Sequence, residues 1–186
     1  SQSLYRVKGL SVERVYAEIE KILLAPYAGY GLELLAEIGL AGCICTSNIG
    51  GRLKETSILG EILSLRGRQQ NTRNNSLDAW NHTLKVVDGV PPQRELRWAA
   101  LFHHVEKGTE GVRGYSKKRE TADLCYGQAS AEISLKVLSR LRAPSRMADR
   151  VSWLVLNHMC LPDADYKSVV KLSLIHISEP TRRVVI

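Results

Sequence analysis

Apolar residues recur at helical spacing from the start of the chain. Val12, Val15, Ile19, Ile22, Leu23 and Leu24 fall on one face behind Ser11, with Glu13 in the first turn, which predicts an N-capped helix over 11–24. Pro26 and Gly29 break that pattern. A second short helix is expected over 32–38, ending at Gly39, with Leu34, Leu35 and Ile38 on one side. From Cys43 to Arg66 the periodicity blurs: Gly50-Gly51 marks a turn, and Ile58, Ile62, Leu63 and Leu65 suggest a further amphipathic helix. Residues 67–75 hold no apolar side chain and read as a linker. After it come helices over 77–87, 94–105, 122–142 and 145–160, with a glycine-containing charged loop at 108–121. Val151, Leu154, Val155 and Met159 form the core side of the last helix, and His158, Trp98 and Trp153 read as buried structural residues.

Composition agrees with this helical reading. Aromatic residues make up 6% of the 186, Phe occurs once, and Leu, Ala, Glu, Lys and Arg recur, so the expected fold class is all-α. Two subregions are expected, 1–66 and 67–171. The remainder, 172–186, is set apart, because Leu172 to Arg182 reads as the translation of a sequencing-library adapter and is excluded from fold reasoning. The sequence does not begin with Met, and a piece cut at both ends is the expectation. No stretch approaches the roughly 20 apolar residues of a membrane span, which excludes a helical membrane protein and gives a cytoplasmic expectation. Cys43, Cys45, Cys125 and Cys160 are too scattered for a disulfide framework and read as reduced thiols.

Charge narrows the partner class. Lys and Arg number 26 against 19 acidic residues, a net +7, and the basic balance survives removal of the tail. Such a balance suits a polyanion such as RNA, contacted through phosphates. Lys107, Arg113, Lys117, Lys118 and Arg119 form a basic loop suited either to that role or to a solvated surface.

The chemistry-bearing residues cluster in two segments, Trp80-Asn-His-Thr-Leu84 and Leu96-Arg-Trp-Ala-Ala-Leu-Phe-His-His-Val-Glu-Lys107. With Ser11-Val-Glu-Arg14, Gly31-Leu-Glu-Leu-Leu35, Tyr126-Gly127, Leu138-x-Arg-Leu-Arg142 and Asp149-Arg-Val151, they resemble, in order and spacing, bacterial tRNA nucleotidyltransferases (the CCA-adding and poly(A) polymerase family). The resemblance runs over most of residues 5–160. It implies a helical neck and body followed by an HD-like helical domain. Ser11, Glu13 and Arg14 would be the structural motif of the neck helix.

The family adds C, C and A to tRNA 3′ ends, so the resemblance implies tRNA as partner and ATP and CTP as substrates. These bind a head and neck that this chain would lack, the head holding Mg²⁺ on two carboxylates. No residue of the chain is then expected to catalyse nucleotidyl transfer. The alternative is a stand-alone metal-dependent HD phosphohydrolase. Against a working HD centre, His104 stands at the family's aspartate, and Asn75 and Gln128 stand where relatives carry histidine. His82, His103 and His104 remain as a degenerate ligand set, since three imidazoles suit zinc or nickel.

Overall fold

The structure, a computed structural model, describes residues 6–68, 78–106, 114–116, 119–122 and 126–158. Seven α-helices and two small hairpins occur among them: α1 (Val12–Leu24), α2 (Ala28–Glu37), β1 (Ile44–Ile49), β2 (Arg52–Ser57), α3 (Gly60–Leu63), α4 (Ala79–Gly89), α5 (Arg94–Phe102), β3 (Gly114–Ser116), β4 (Arg119–Ala122), α6 (Tyr126–Arg140) and α7 (Ser145–Asn157). The fold is therefore mainly helical, as expected, with small β additions. The adapter-like tail lies outside the described residues.

α1 begins where the pattern predicts. The Arg14 backbone N–H donates to Ser11 Oγ at 3.4 Å, satisfying one of the unpaired donors of the first turn. Its buried stripe is Val12, Val15, Ile19 and Leu23.

α2 departs from expectation twice. It starts at Ala28, so Gly29 lies inside the helix rather than breaking it, and its buried side is Ala28, Gly29, Leu32 and Ala36. Leu34 and Ile38 are 43% and 46% exposed, because this helix meets its neighbours through Leu32 and three small residues. Asp88, at the end of α4, reaches across to accept the Gly29 backbone N–H at 2.8 Å. A carboxylate from another helix thus caps the α2 N-terminus, where Tyr27 supplies no side-chain cap.

The blurred stretch after Cys43 is a β-hairpin. β1 and β2 pair antiparallel from Ile44↔Ser57 to Ile49↔Arg52, and Gly50 (φ 57°) and Gly51 (φ 80°) occupy the two-residue turn. Positive φ at both central positions matches the twist of the strands and favours glycine. The amphipathic helix expected here shrinks to α3, although Ile58, Ile62 and Leu65 are buried as the pattern implied. Likewise the segment expected to be a loop at 108–121 contains the paired strands β3 and β4.

A continuous cluster of buried side chains runs from α1 and α2 through α4 and α5 to α6 and α7. α6 packs along α7, α5 against α7, α2 against α4, and α1 against α5. Trp98 is fully buried, stacked on Tyr16 at 5.7 Å and on Phe102 at 5.9 Å, while Trp153 is half-buried. Polar ties fix the helices further. Arg94 Nε meets Glu20 Oε1 at 2.8 Å, and Glu33 accepts from both Arg66 and Trp80 Nε1. Arg140 makes a two-pronged contact with Glu61 at 2.5 and 2.8 Å. No helix of the described residues is long and apolar enough to cross a membrane.

Candidate functional site

The four histidines among the described residues converge at one place. Asp78 caps α4 by accepting the Asn81 N–H at 2.8 Å, which sets the helix so that His82, one turn in, faces α5. Residues Leu96 to Phe102 of α5 are all buried, and the chain leaves the helix at His103 and His104, themselves only 4% and 5% exposed. The C-cap of α7 is His158, 2% exposed.

Ring geometry and hydrogen bonding define the arrangement. His82 lies with its ring centroid 5.3 Å from His103 and 5.0 Å from His104, and the two adjacent rings are 3.9 Å apart. His158 meets both edge-on, at 5.6 Å from His103 and 5.4 Å from His104. His103 Nδ1 lies 2.7 Å from Ala100 O, and His158 Nδ1 lies 2.6 Å from Val155 O. A carbonyl only accepts, so each Nδ1 carries a proton. His103 Nε2 and His82 Nε2 lie 3.2 Å apart, within hydrogen-bond distance.

His82, His103 and His104 each offer a ligand atom within 4.8 Å of the others, the expected degenerate set in a compact form. Among the described residues, no carboxylate joins them. The site therefore has the chemistry of a nitrogen ligand set or of a packed imidazole core.

His158 is the member that sequence reasoning read as a structural residue. Its position was legible: it follows Leu154 by four residues and Val155 by three, on the buried stripe of α7. Gln128 is exposed and donates to Glu132 Oε1 at 3.2 Å, away from any ligand role, and Asn75 lies outside the described residues. Of the basic loop, Lys107, Arg113, Lys117 and Lys118 lie outside the described residues, and Arg119 enters only through its backbone, paired with Ser116. Of the neck motif, Ser11 caps α1, while Glu13 and Arg14 stand exposed in its first turn.

Other ionisable groups are perturbed without forming a reactive constellation. Burial, then the hydrogen bond to Glu20 at 2.5 Å, raises the Tyr16 phenol far above its ordinary range. Burial also raises the Cys45 thiol, which with Cys43 is free. Burial lowers Arg97, a guanidinium 3% exposed with Asp88 at 3.8 Å.

A second surface feature escaped the sequence reading. Tyr27 and Tyr30 are 78% and 72% exposed, and with Leu34 and Ile38 they repeat along the outer side of α2. Their spacing was visible, but the sequence reading began the helix at Leu32 and so left Tyr27 and Tyr30 outside it.

The family described as probable RNA and SrmB-binding site of polymerase A matches residues 2–44, the segment holding α1 and α2. A CC-adding tRNA nucleotidyltransferase of Thermus thermophilus is 34% identical over 153 residues, covering 79% of this chain and 31% of that protein. An A-adding tRNA nucleotidyltransferase of Deinococcus radiodurans is 27% identical over 158 residues, 82% of this chain and 33% of that protein. The chain thus spans about a third of the length of these curated relatives. No solved structure matches it.

Proposed function

This chain belongs to the tRNA nucleotidyltransferase family, and from that premise we propose that it is the tRNA-supporting helical portion of an enzyme that adds all or part of CCA to tRNA 3′ ends. The observation that carries the reading is the match across four fifths of the chain to enzymes named for CC and A addition. Nucleotidyl transfer would then belong to a Mg²⁺-holding head outside these 186 residues, where ATP and CTP bind. Residues 1–66 act as neck and body and 67–171 as the HD-like domain. The stand-alone hydrolase reading is not favoured, since the relatives matched are transferases.

RNA contact is assigned to two places. One is the basic loop of Lys107, Arg113, Lys117, Lys118 and Arg119. The other is the exposed face of α1 and α2, where Arg14 and Lys21 offer phosphate contacts and Tyr27 and Tyr30 offer rings for stacking. That face lies inside the segment matched as an RNA-binding site.

Titration of the chain with deacylated tRNA at a series of salt concentrations tests the proposal. Affinity should fall linearly with log salt, and removing one phosphate-contacting cation should flatten the slope by roughly one. Undetectable or salt-insensitive binding would refute the reading. Incubated with tRNA, Mg²⁺, CTP and ATP, the chain alone should leave the 3′ end unextended. Extension would overturn the assignment of catalysis to an outside head.

A further inference from the structure

We propose that the turn between α6 and α7, with the β1–β2 hairpin docked beside it, binds the sugar-phosphate backbone of double-stranded RNA, and that Arg142 is the central contact. The inference rests on the tRNA-supporting reading and deepens it with a third surface, separate from the α1–α2 face and the loop of Lys107 to Arg119.

Backbone conformation is the first support. Arg142 is the one non-glycine residue with positive φ among the described residues, at 61°. It lies just past α6, where the Ala143 N–H donates to Leu138 O at 3.0 Å and the Arg142 N–H to Ser139 O at 3.1 Å. This pair of bonds marks a helix end that ordinarily places glycine at the left-handed position. A side chain there crowds its own backbone, so local folding gives no reason for an arginine. The reason lies in what the guanidinium does.

Placement is the second. Arg142 Nη2 donates to Asn48 O at 3.0 Å, which seats the hairpin tip, Gly50-Gly51-Arg52, beside the α6–α7 turn. Arg140 holds the base of the same hairpin through Ile58 O at 3.2 Å. That one bond to Asn48 leaves most of the Arg142 N–H donors for phosphate oxygens, and the side chain is exposed.

Charge is the third. Lys136, Arg140, Arg142, Arg146 and Arg150 face Asp149 as the single acid within residues 136–150. Arg140 is committed to Glu61, which leaves Arg142 and Arg146 exposed at the turn and Arg52 exposed at the hairpin tip. Glu55, the acidic residue of the hairpin, is held by Lys8 at 2.5 Å.

The form of RNA follows from the side chains this surface lacks. Among the described residues the exposed aromatic rings are Tyr27 and Tyr30, both beside α2 and none at the α6–α7 turn. Single strands are held by bases stacking on rings, whereas duplex RNA is held through its shape and its phosphates. Arginines without rings therefore suit a duplex stem, and the tyrosines suit unpaired nucleotides.

The test titrates the full chain with a blunt RNA duplex and with an unstructured single strand of the same length, at several salt concentrations. Arg142→Gly is the discriminating variant, because glycine suits a positive φ. Its Tm should stay within about 2 °C of wild type, while duplex affinity falls roughly three- to tenfold and the salt slope flattens by roughly one. Single-strand affinity should change less than about twofold. Arg146→Gln should reproduce the duplex-specific loss, and Arg142→Lys, which keeps the charge, should retain most of the binding. Duplex affinity unchanged in both Arg142→Gly and Arg146→Gln, or equal loss for the two RNAs, would overturn the inference. So would a large fall in Tm for Arg142→Gly, which would make the arginine a hairpin anchor. In any of these cases wild-type binding of RNA would leave the tRNA-supporting reading standing, whereas a wild-type chain that binds neither RNA would refute both.

Discussion

Replacing Arg140 with Ala should uncouple α6 from α3 and cost about 2 kcal/mol. Arg140 Nη1 and Nη2 contact the two Glu61 carboxylate oxygens at 2.5 and 2.8 Å, and Nη2 also donates to Ile58 O at 3.2 Å. The side chains are 19% and 28% exposed, so the pair is neither a surface ion pair nor a fully dry one. Charge-assisted hydrogen bonds contribute about 1.5–3 kcal/mol, and stranding one partner of a fully buried pair costs about 3–5 kcal/mol. Residual water access to Glu61 brings the expectation to about 2 kcal/mol, or roughly 4–8 °C in Tm for a domain of this size. Burial alone would raise the Glu61 carboxyl, but the hydrogen bonds and charge of Arg140 outweigh it and hold it below its ordinary value. A depressed folded-state pKa gives stabilisation that is complete above the unfolded value of about 4.3 and fades as pH falls through the lower folded value. Urea denaturation of wild type, Arg140→Ala, Glu61→Gln and the double variant, at neutral pH and at low pH, measures the coupling. A coupling energy under about 0.5 kcal/mol at neutral pH, or one unchanged on acidification, would refute the reasoning.

Three further outcomes follow from the packing. Gly29→Ala should destabilise by about 1–2 kcal/mol in thermal or urea melts despite the better helix propensity of alanine. The new Cβ would overlap Asp88 Oδ2 and sit 3.1 Å from Leu84 O. Asp88→Ala should cost about 2–3 kcal/mol by the same measurement, since it removes both the α2 cap and the carboxylate facing the buried Arg97 guanidinium. Trp98→Ala should cost about 3–5 kcal/mol and abolish most near-UV dichroism, whereas Trp153→Ala, half-buried, should cost markedly less.

Local patterns that need no partner were legible in the chain. Ser11 as N-cap, the stripe from Val12 to Leu23, the turn at Gly50-Gly51, the presence of α4, and the starts of α5 and α7 all follow from periodicity and capping chemistry. The readings that failed are those a distant contact decides. Gly29 reads as a breaker because a glycine weakens an isolated helix, yet Asp88, 59 positions later, caps the helix start at that residue. Leu34, Leu35 and Ile38 read as one side of α2, yet the helix buries Ala28, Gly29, Leu32 and Ala36 and leaves Leu34 and Ile38 exposed. Ile44 to Ser57 lacks strict alternation because the hairpin lies largely exposed along β2, so no period marks it.

The sequence by itself determined the helical class, the basic charge and, through the order of its motifs, the tRNA nucleotidyltransferase family. It also supplied His82, His103 and His104 as a candidate group, because two segments carried unusual imidazoles at recognisable places. Only the tertiary structure decided that the His158 ring packs edge-on against His103 and His104, that the Nδ1 of His103 and of His158 faces a backbone carbonyl of its own helix, and that Tyr27 and Tyr30 face outward. The reason is physical: capping and periodicity act within a few residues, whereas convergence of four imidazoles depends on how α4, α5 and α7 pack, which no local pattern encodes.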